Sequence, residues 1–381
     1  LLVLIHEAGH YFVAKYFGIK VEEFGFGFPP KAFSIKRGET VYSINWLPIG
    51  GFVKLYGEDE AGGGSVKLKP NERVKDEKRA FYARPVWQRA AVVLAGVIMN
   101  AVLAIVIFYV YLGISGFKAE LPLLGDHKFF GVEQSKKATV IVTDIVKNSP
   151  AFKAGISKNA QIVSINGQKI DDTKQFLHII SDNKGKQIML VWNDLKTNRQ
   201  YKVQLIPRVN PPKNEGSLGV KFFATDVAIL DYATPTQKLF SGIVHPINLM
   251  AYNFDIMGKL FQISVKQKSA APLGDGVAGP IGIFSLVGNI LQLPDAKERL
   301  LQVLNLAGIL SISLAFFNVL PIPALDGGRL FFILIEGVTR RKVNQKVEGM
   351  IHTVGFMVLL GLILLITFQD VRRFVLPFLF P

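Results

Sequence analysis

The chain has 381 residues, half of them hydrophobic, a mean hydropathy of +0.32 and a formal net charge of +15. That hydropathy is high for a protein wholly surrounded by water. No basic block interleaved with aromatics marks a nucleic-acid surface, so anionic membrane lipid, not nucleic acid, is the expected partner of the positive charge. Zero cysteines exclude disulfides and thiolate metal sites, which leaves imidazole and carboxylate as metal donors.

The chain opens on its strongest signal. Ile5-His6-Glu7-Ala8-Gly9-His10 is an HExxH motif inside an apolar run that reads as one helix over residues 1–17. Four residues is close to one helical turn, so His6 and His10 share a face on which two imidazoles can hold one Zn²⁺. Glu7, one position on, can reach a water there and take its proton. With 6 histidines in 381 residues, the motif arises by chance in roughly one in a few hundred chains of this composition. An ionisable group inside a hydrophobic helix is costly and points to function. The run before His6 is too short to span a bilayer and the sequence starts without Met. The natural chain is therefore expected to extend upstream, with residues 1–17 as part of a first transmembrane helix.

Residues 18–86 follow, beginning with an apolar stretch broken by Gly and Pro, Phe24-Gly25-Phe26-Gly27-Phe28-Pro29-Pro30. Residues 32–36 and 40–44 alternate around Arg37-Gly38-Glu39, a hairpin pattern, and residues 48–55 read as a further strand. Strands of this kind beside an intramembrane site suggest a sheet that re-enters the bilayer, whose free edge can hold an extended substrate by strand addition. Phe33, Ile35, Val41, Tyr42, Gly50, Gly51 and Phe52 are the expected substrate-binding residues; an ordinary cytosolic hairpin is the plainer alternative. Residues 57–84 are polar, Gly-rich and mixed in charge, the pattern of a mobile loop.

Charge-free runs over residues 90–117, 300–325 and 349–369 are each long enough to cross about 30 Å of hydrocarbon, which with residues 1–17 makes four spans. Twelve Lys or Arg lie between Lys20 and Arg84, and Arg340, Arg341, Lys342 and Lys346 lie between the third and fourth spans. Both segments fall on one side of a four-span protein, and their charge makes that side cytoplasmic.

Between the second and third spans lies a soluble module. Residues 139–142 read as a strand, and Asn148-Ser149-Pro150-Ala151-Phe152-Lys153-Ala154-Gly155-Ile156 as a turn into a short helix. Residues 162–170 form a hairpin with an Asn166-Gly167 turn, 176–181 a helix, and 187–191 and 201–206 strands. The run resembles a bacterial PDZ domain, most specifically from Ser149-Pro150-Ala151 to Ile165-Asn166-Gly167, with Ser217-Leu218-Gly219-Val220 as a possible further strand. Such grooves take extended peptides, so a peptide ligand is one expectation and a purely steric gate the other. Residues 244–261 have the composition of a helix lying along the membrane surface. His127, His178, His245 and His352 lack metal spacing and are expected to be structural.

The third span ends in Asn318-Val319-Leu320-Pro321-Ile322-Pro323-Ala324-Leu325-Asp326-Gly327-Gly328-Arg329. Its prolines break the helix, and its glycines permit a tight turn and close backbone approach. Asp326 is either the N-cap of a helix over 330–335 or the third protein donor that two histidine ligands need, with water completing the shell.

Taken together, HExxH in the first helix, the pattern Asn-x-x-Pro-x-x-x-Leu-Asp-Gly over residues 318–327 and an intervening PDZ module resemble the site-2 protease family of intramembrane zinc metalloproteases. The match is to bacterial regulators of sigma-E protease type. The resemblance implies His6, His10 and Asp326 as Zn²⁺ ligands, Glu7 as general base and acid, and Asn318 as the group that holds substrate backbone or oxyanion. It implies single-span membrane proteins, anti-sigma factors or signal-peptide remnants, as substrates. It places the protein in the bacterial inner membrane, with the active site near the cytoplasm and the PDZ domain outside. Two features depart from the pattern: there is one PDZ module where many Gram-negative members carry two, and Phe28 is an extra residue in the Gly-Phe-Gly-Phe-Pro-Pro stretch.

The expected fold is thus a polytopic α-helical membrane protein of about four transmembrane helices, with a re-entrant β-sheet and an inserted extracytoplasmic α+β PDZ domain. Its divisions are 1–17 (first span), 18–86 (re-entrant strands and loop), 87–113 (second span), 138–222 (PDZ), 223–299 (membrane-surface segments), 300–348 (third span and Asp-Gly loop) and 349–370 (fourth span). The competing classes are a catalytically inert PDZ-bearing membrane adaptor and a zinc transporter. The transporter calls for ionisable groups on several spans, which the second and fourth runs lack apart from His352.

Overall fold

The computed structural model describes residues 1–58, 77–195, 197, 199–213, 215–269, 271, 274, 276–341 and 343–376. The loop expected over 57–84 therefore lies largely outside the described residues. In chain order the elements are α1 (Leu2–Tyr16), β1 (Val21–Arg37), β2 (Thr40–Leu55), α2 (Val86–Ile114), β3 (Lys118–Leu123), β4 (Glu133–Ile145) and α3 (Pro150–Lys153). There follow β5 (Ala160–Ile165), β6 (Gln168–Lys169), α4 (Thr173–Asp182), β7 (Ile188–Asp194), β8 (Arg199–Leu205) and β9 (Val220–Asp231). The remainder is helical: α5 (Pro235–Gln267), α6 (Pro280–Leu291), α7 (Ala296–Val319), α8 (Asp326–Thr339) and α9 (Gln345–Asp370). Two compact units result, one of Leu1–Ile114 with His245–Pro381, the other of Ser115–Val244.

In the first unit, α1 ends where Gly18 takes φ +69°. The Ile19 N–H donates to the Ala14 carbonyl at 2.9 Å and the Gly18 N–H to that of Lys15 at 3.0 Å, the paired bonds of a Schellman cap. The helix buries His6, Gly9, His10 and Ala14 on the face toward α2. Gly9 makes that approach possible: a Cβ there would lie 2.7 Å from the Ala95 carbonyl carbon and 2.8 Å from Met99 Cγ. Ala14, Ile19, Val21, Leu55, Phe81, Val92, Val93 and Ile333 close a core beneath this crossing. On the other side of α2, the Phe108 ring packs against Gly308 of α7, and Ser311 Oγ donates to the Asn100 carbonyl at 2.8 Å.

Three helical stretches are long and apolar enough to cross a membrane: Val86–Ile114, Ala296–Val319 and Lys346–Val375. The expected first span lies in α1, whose 15 residues here are fewer than the roughly 20 a crossing needs, so α1 is not one of these three. The third span begins at Ala296, not 300, since Asp295 caps the helix by accepting from the Glu298 N–H at 2.6 Å. The expected surface segment over 244–261 is the middle of the longer helix α5.

The expected hairpin is present with a more involved pairing. Residues 31–37 pair with 40–45, and Glu23 to Phe26 have partners on both sides, Lys54 to Gly51 on one and Val41 to Ile44 on the other. The Phe24–Phe28 stretch is therefore a central strand. Its glycines are the reason: Gly25 admits the Phe52 ring, and Gly27, at φ +80°, admits the Leu47 carbonyl. Among the described residues, no strand pairs with the outer side of residues 51–55.

The second unit has one seven-stranded sheet among the described residues, ordered β3-β9-β4-β5-β7-β8 with β6 on β5. Val140, Val142, Ile162, Ile165, Phe176, Ile188, Leu190 and Trp192 form its core. Ser149 caps α3 by accepting from the Phe152 N–H at 3.1 Å, and Asp172 caps α4 by accepting from Gln175 at 2.7 Å. Asn166 and Gly167 take φ of 51° and 80° in the turn between β5 and β6. The unit is wider than residues 138–222: β4 starts at Glu133, and β9 starts at Val220, not 217, and runs to Asp231, where it also pairs β3.

At the C-terminal end of α1 the hairpin turn is tied down by charge. Glu39 accepts from Lys15 Nζ at 2.6 Å and from Arg79 Nη2 at 2.8 Å. Arg79 and Lys15 hold its carboxyl down at about 2 from the ordinary 4.5. Because that value is depressed, its stabilisation is whole above pH 4.5 and is lost as the pH falls toward 2. Half-exposed pairs of this kind are worth at most about 1 kcal/mol. Glu39→Gln is expected to lower thermal stability in detergent by up to that amount at pH 6, with the deficit shrinking at pH 3; a deficit equal at both pH values would contradict the assignment.

Candidate metal centre

Three side chains from two helices meet at one point beside the α1–α2 crossing. The Nε2 atoms of His6 and His10 are 3.1 Å apart. Asp326 Oδ2 lies 2.8 Å from His6 Nε2 and 3.2 Å from His10 Nε2. Both histidines are 7% exposed, while the Asp326 side chain keeps 15% of its surface exposed. The helical spacing of four puts the two rings edge to face, with centroids 4.7 Å apart.

Asp326 arrives through the turn after α7. Leu325, not Asp326, is the N-cap of α8, and the carboxylate of the first helical residue is turned toward the imidazoles. Gly327 and Gly328 make the turn possible: a Cβ on Gly328 would come within 2.5 Å of the Ile322 carbonyl oxygen, and one on Gly327 would run into the Leu320 carbonyl.

Each ring is oriented by a partner on α2. His10 Nδ1 donates to the Val92 carbonyl at 2.8 Å, which leaves its Nε2 with a lone pair facing the other donors. His6 Nδ1 faces the amide of Asn100, with Nδ2 at 3.3 Å and the amide oxygen buried without a partner. Turning that amide by 180° lets its oxygen accept from His6 Nδ1–H, which frees His6 Nε2 as a second lone pair. Gly96, one turn before Asn100, is where the rings press on α2; a Cβ there would stand 2.5 Å from His10 Nε2 and 2.8 Å from His6 Cε1.

Two lone pairs and a carboxylate oxygen aimed at one point repel unless a cation lies among them. Their separations are close to the edges of about 3.4 Å that four donors make around a tetrahedral zinc. The donor set, two imidazoles and one carboxylate, is a zinc set, so these residues fit that metal.

Two cavities open on the cluster. One, of about 250 Å³, is lined by Val3, His6, Glu7, Asn100, Asn318 and Asp326 among others. The second, of about 230 Å³, runs past Glu7, His10, Phe52, Val53, Asp326 and Arg329. Glu7 borders both, and Gly51 passes close by, its Cβ position 3.5 Å from Glu7 Cγ. Arg329 Nη1 donates to Glu58 Oε1 at 2.8 Å and brings a cation to the wall that Glu7 and Asp326 share.

Of the residues expected from the sequence, His6, Glu7, His10, Asn318 and Asp326 are brought together, with Phe52 and the Gly51 backbone beside them. Phe33, Ile35, Val41 and Tyr42 are not among the cavity-lining residues. Phe33 and Ile35 lie exposed on the outer strand, and Tyr42 is bonded to Tyr11, hydroxyl to hydroxyl, at 2.7 Å. Among the other histidines, His178 pairs with Asp182 at 3.3 Å and His245 packs on Phe108. Sequence reasoning missed Gly96, Asn100 and Glu58. Asn100 left a usable sign, as the lone amide side chain in the charge-free run of α2.

The model of the family described as Peptidase family M50 matches residues 1–362. A protein of Clostridium perfringens provisionally named a zinc metalloprotease is 34% identical over 370 residues, covering 97% of this chain and 95% of that one. The regulator of sigma-W protease RasP of Bacillus subtilis is 28% identical over 441 residues, covering 98% and 96%. Similarity extends to a solved PDZ domain of an SdrC-like protein from Listeria innocua, 21% identical over 22% of this chain and 92% of that one; its TM-score of 0.20 decides nothing about the fold.

The supports on α2 are testable through metal content. Gly96→Ala, which drives a methyl group into both imidazoles, is expected to reduce zinc retained after gel filtration to a small fraction of wild type. Asn100→Leu is expected to weaken zinc binding by about 10- to 100-fold, measured by chelator competition. Wild-type affinity in both variants would contradict this account of the centre.

Proposed function

The chain belongs to peptidase family M50, the site-2 proteases, and is a zinc metalloprotease; from that premise we propose that it hydrolyses a peptide bond within or next to the transmembrane segment of single-span membrane proteins. The observation that carries the reading is the meeting of His6, His10 and Asp326 within 3.2 Å of one another, beside Glu7 and among membrane-length helices.

His6, His10 and Asp326 are the proposed zinc ligands. Zinc held by them supplies a Lewis acid toward water and the scissile carbonyl. Glu7, at the junction of the two cavities, takes the proton of the attacking water and returns it to the leaving amine. The Asn318 amide, in the same cavity, donates to the oxyanion that forms on the carbonyl. The fixed positions of these groups keep reorganisation small when charge develops.

A transmembrane helix hides its peptide bonds in its own hydrogen bonds, so a substrate must unwind before it can be cut. The outer edge of residues 51–55, unpaired among the described residues and beside Glu7, offers replacement bonds by strand addition. Gly50, Gly51 and Phe52 thus form the nearer part of the proposed substrate cradle, and Phe33, Ile35, Val41 and Tyr42 its outer strands.

The basic segments before α2 and after α8 support a cytoplasmic position for that side of a bacterial inner membrane, with the PDZ-like unit outside. That unit is proposed to hold back substrates whose ectodomains have not been trimmed. The name of the Bacillus subtilis relative ties that protein to sigma-factor control, which supports anti-sigma factors as one substrate class for this chain, with signal-peptide remnants as the other.

Glu7→Gln is expected to lower cleavage of a model single-span substrate in liposomes by at least about 100-fold while the protein keeps one zinc per chain. Equal cleavage by both proteins would contradict the role of Glu7, and absence of zinc from the wild type would contradict the site. Deletion of residues 138–208 should allow cleavage of untrimmed substrates; continued resistance of those substrates would end the gating reading.

A further inference from the structure

His352 lies in the third turn of α9, 3% exposed and far from any metal-binding spacing in the sequence. Its Nδ1 accepts a hydrogen bond from the Ala324 N–H at 2.9 Å. Ala324 stands two residues before Asp326 and has φ +74°, a conformation that a residue with a Cβ keeps only where its surroundings over-determine it.

The turn is gripped from α9 at two points on one helix face. Gly355, three residues after His352, lies against Pro323; a Cβ there would come 2.9 Å from the Pro323 carbonyl oxygen. The turn is short, so its conformation decides where the next residues point. Asn318 precedes it, Asp326 follows it, and Ala324 borders both cavities at the metal centre.

We propose that His352 is a positioning residue for the metal centre: by accepting from the Ala324 N–H it holds the turn that delivers the Asp326 carboxylate to the imidazoles of α1. Simple space-filling does not account for it. Accepting at Nδ1 puts the ring proton on Nε2, and that atom is buried without a hydrogen-bond partner among the described residues. The ring stands beside Phe332, centroids 5.7 Å apart, where an apolar side chain would sit without an unmet polar atom. The bond that His352 makes goes to the one loop whose conformation the ligand set needs.

The proposal rests on Asp326 being a zinc ligand, and the test separates the two ideas. The full chain in detergent is compared as wild type, H352L, H352N and H352Q, by zinc affinity in chelator competition, by kcat and KM on a single-span substrate, and by thermal unfolding. The Asn amide oxygen falls where His Nδ1 stands, whereas the Gln amide falls at the Nε2 position. H352L and H352Q are expected to lose about tenfold or more in zinc affinity, with kcat falling and KM held, while H352N stays near wild type. Wild-type zinc affinity in H352L, or equal affinity in H352N and H352Q, overturns the proposal; the second comparison stands even if H352L does not fold. A wild-type protein that binds no zinc overturns the assignment of Asp326 and this proposal with it.

Discussion

Three electron-rich atoms aimed at one point inside an apolar helical bundle set the terms for the rest of this structure. Two of them come from one turn of α1 and the third from a residue 320 positions away. Such a cluster is unfavourable unless a cation binds it and unless each donor is held from behind, because a buried polar atom without a partner has no water to fall back on. α2 supplies the holding groups for the imidazoles, a carbonyl at Val92 and an amide at Asn100, and a bare backbone at Gly96 where the rings need room. The loop between α7 and α8 supplies the carboxylate.

The same constraint explains why small residues collect around the site. Gly9, Gly96, Gly327, Gly328 and Gly355 each stand where a side chain would strike a neighbouring helix, a ring or a carbonyl. In a membrane the apolar effect does not push helices together, so close packing and buried hydrogen bonds must do it. Rigid support on one side leaves freedom on the other. The strand edge at residues 51–55 is free among the described residues and lies beside Glu7, so the proposed general base and the proposed site of substrate unwinding are neighbours.

The residues of the candidate metal centre were legible in the sequence because their chemistry needs scarce residue types at a helical period. A spacing of four positions between two of only 6 histidines is such a pattern, and a carboxylate between a proline-broken helix end and two glycines is another. Several strands and the Asn-Gly turn of the second unit were legible for the same local reason. What was not legible depends on which segments approach one another. Residues 24–28 read as an apolar stretch broken by Gly and Pro, and the fit of the Phe52 ring over Gly25 and of the Leu47 carbonyl at Gly27 makes them a central strand. Strands β3 and the long β9 widen the inserted unit because they pair with each other, which no local pattern announces. Asn100 and His352 are polar residues in apolar runs, but the atoms they face are set by helix packing. Asp326 carried two readings, cap or ligand; Leu325 is the N-cap of α8, and the Asp326 carboxylate faces the imidazoles.

The most direct test of the account is zinc-edge X-ray absorption on the Glu7→Gln protein, purified with zinc bound and protected from turnover. The account predicts one zinc per chain in a four-donor shell of two imidazoles and oxygen, at distances of about 2.0–2.2 Å. An all-oxygen six-donor shell, or a signal with no imidazole scattering, would contradict the joining of α1 and α8 at a single metal.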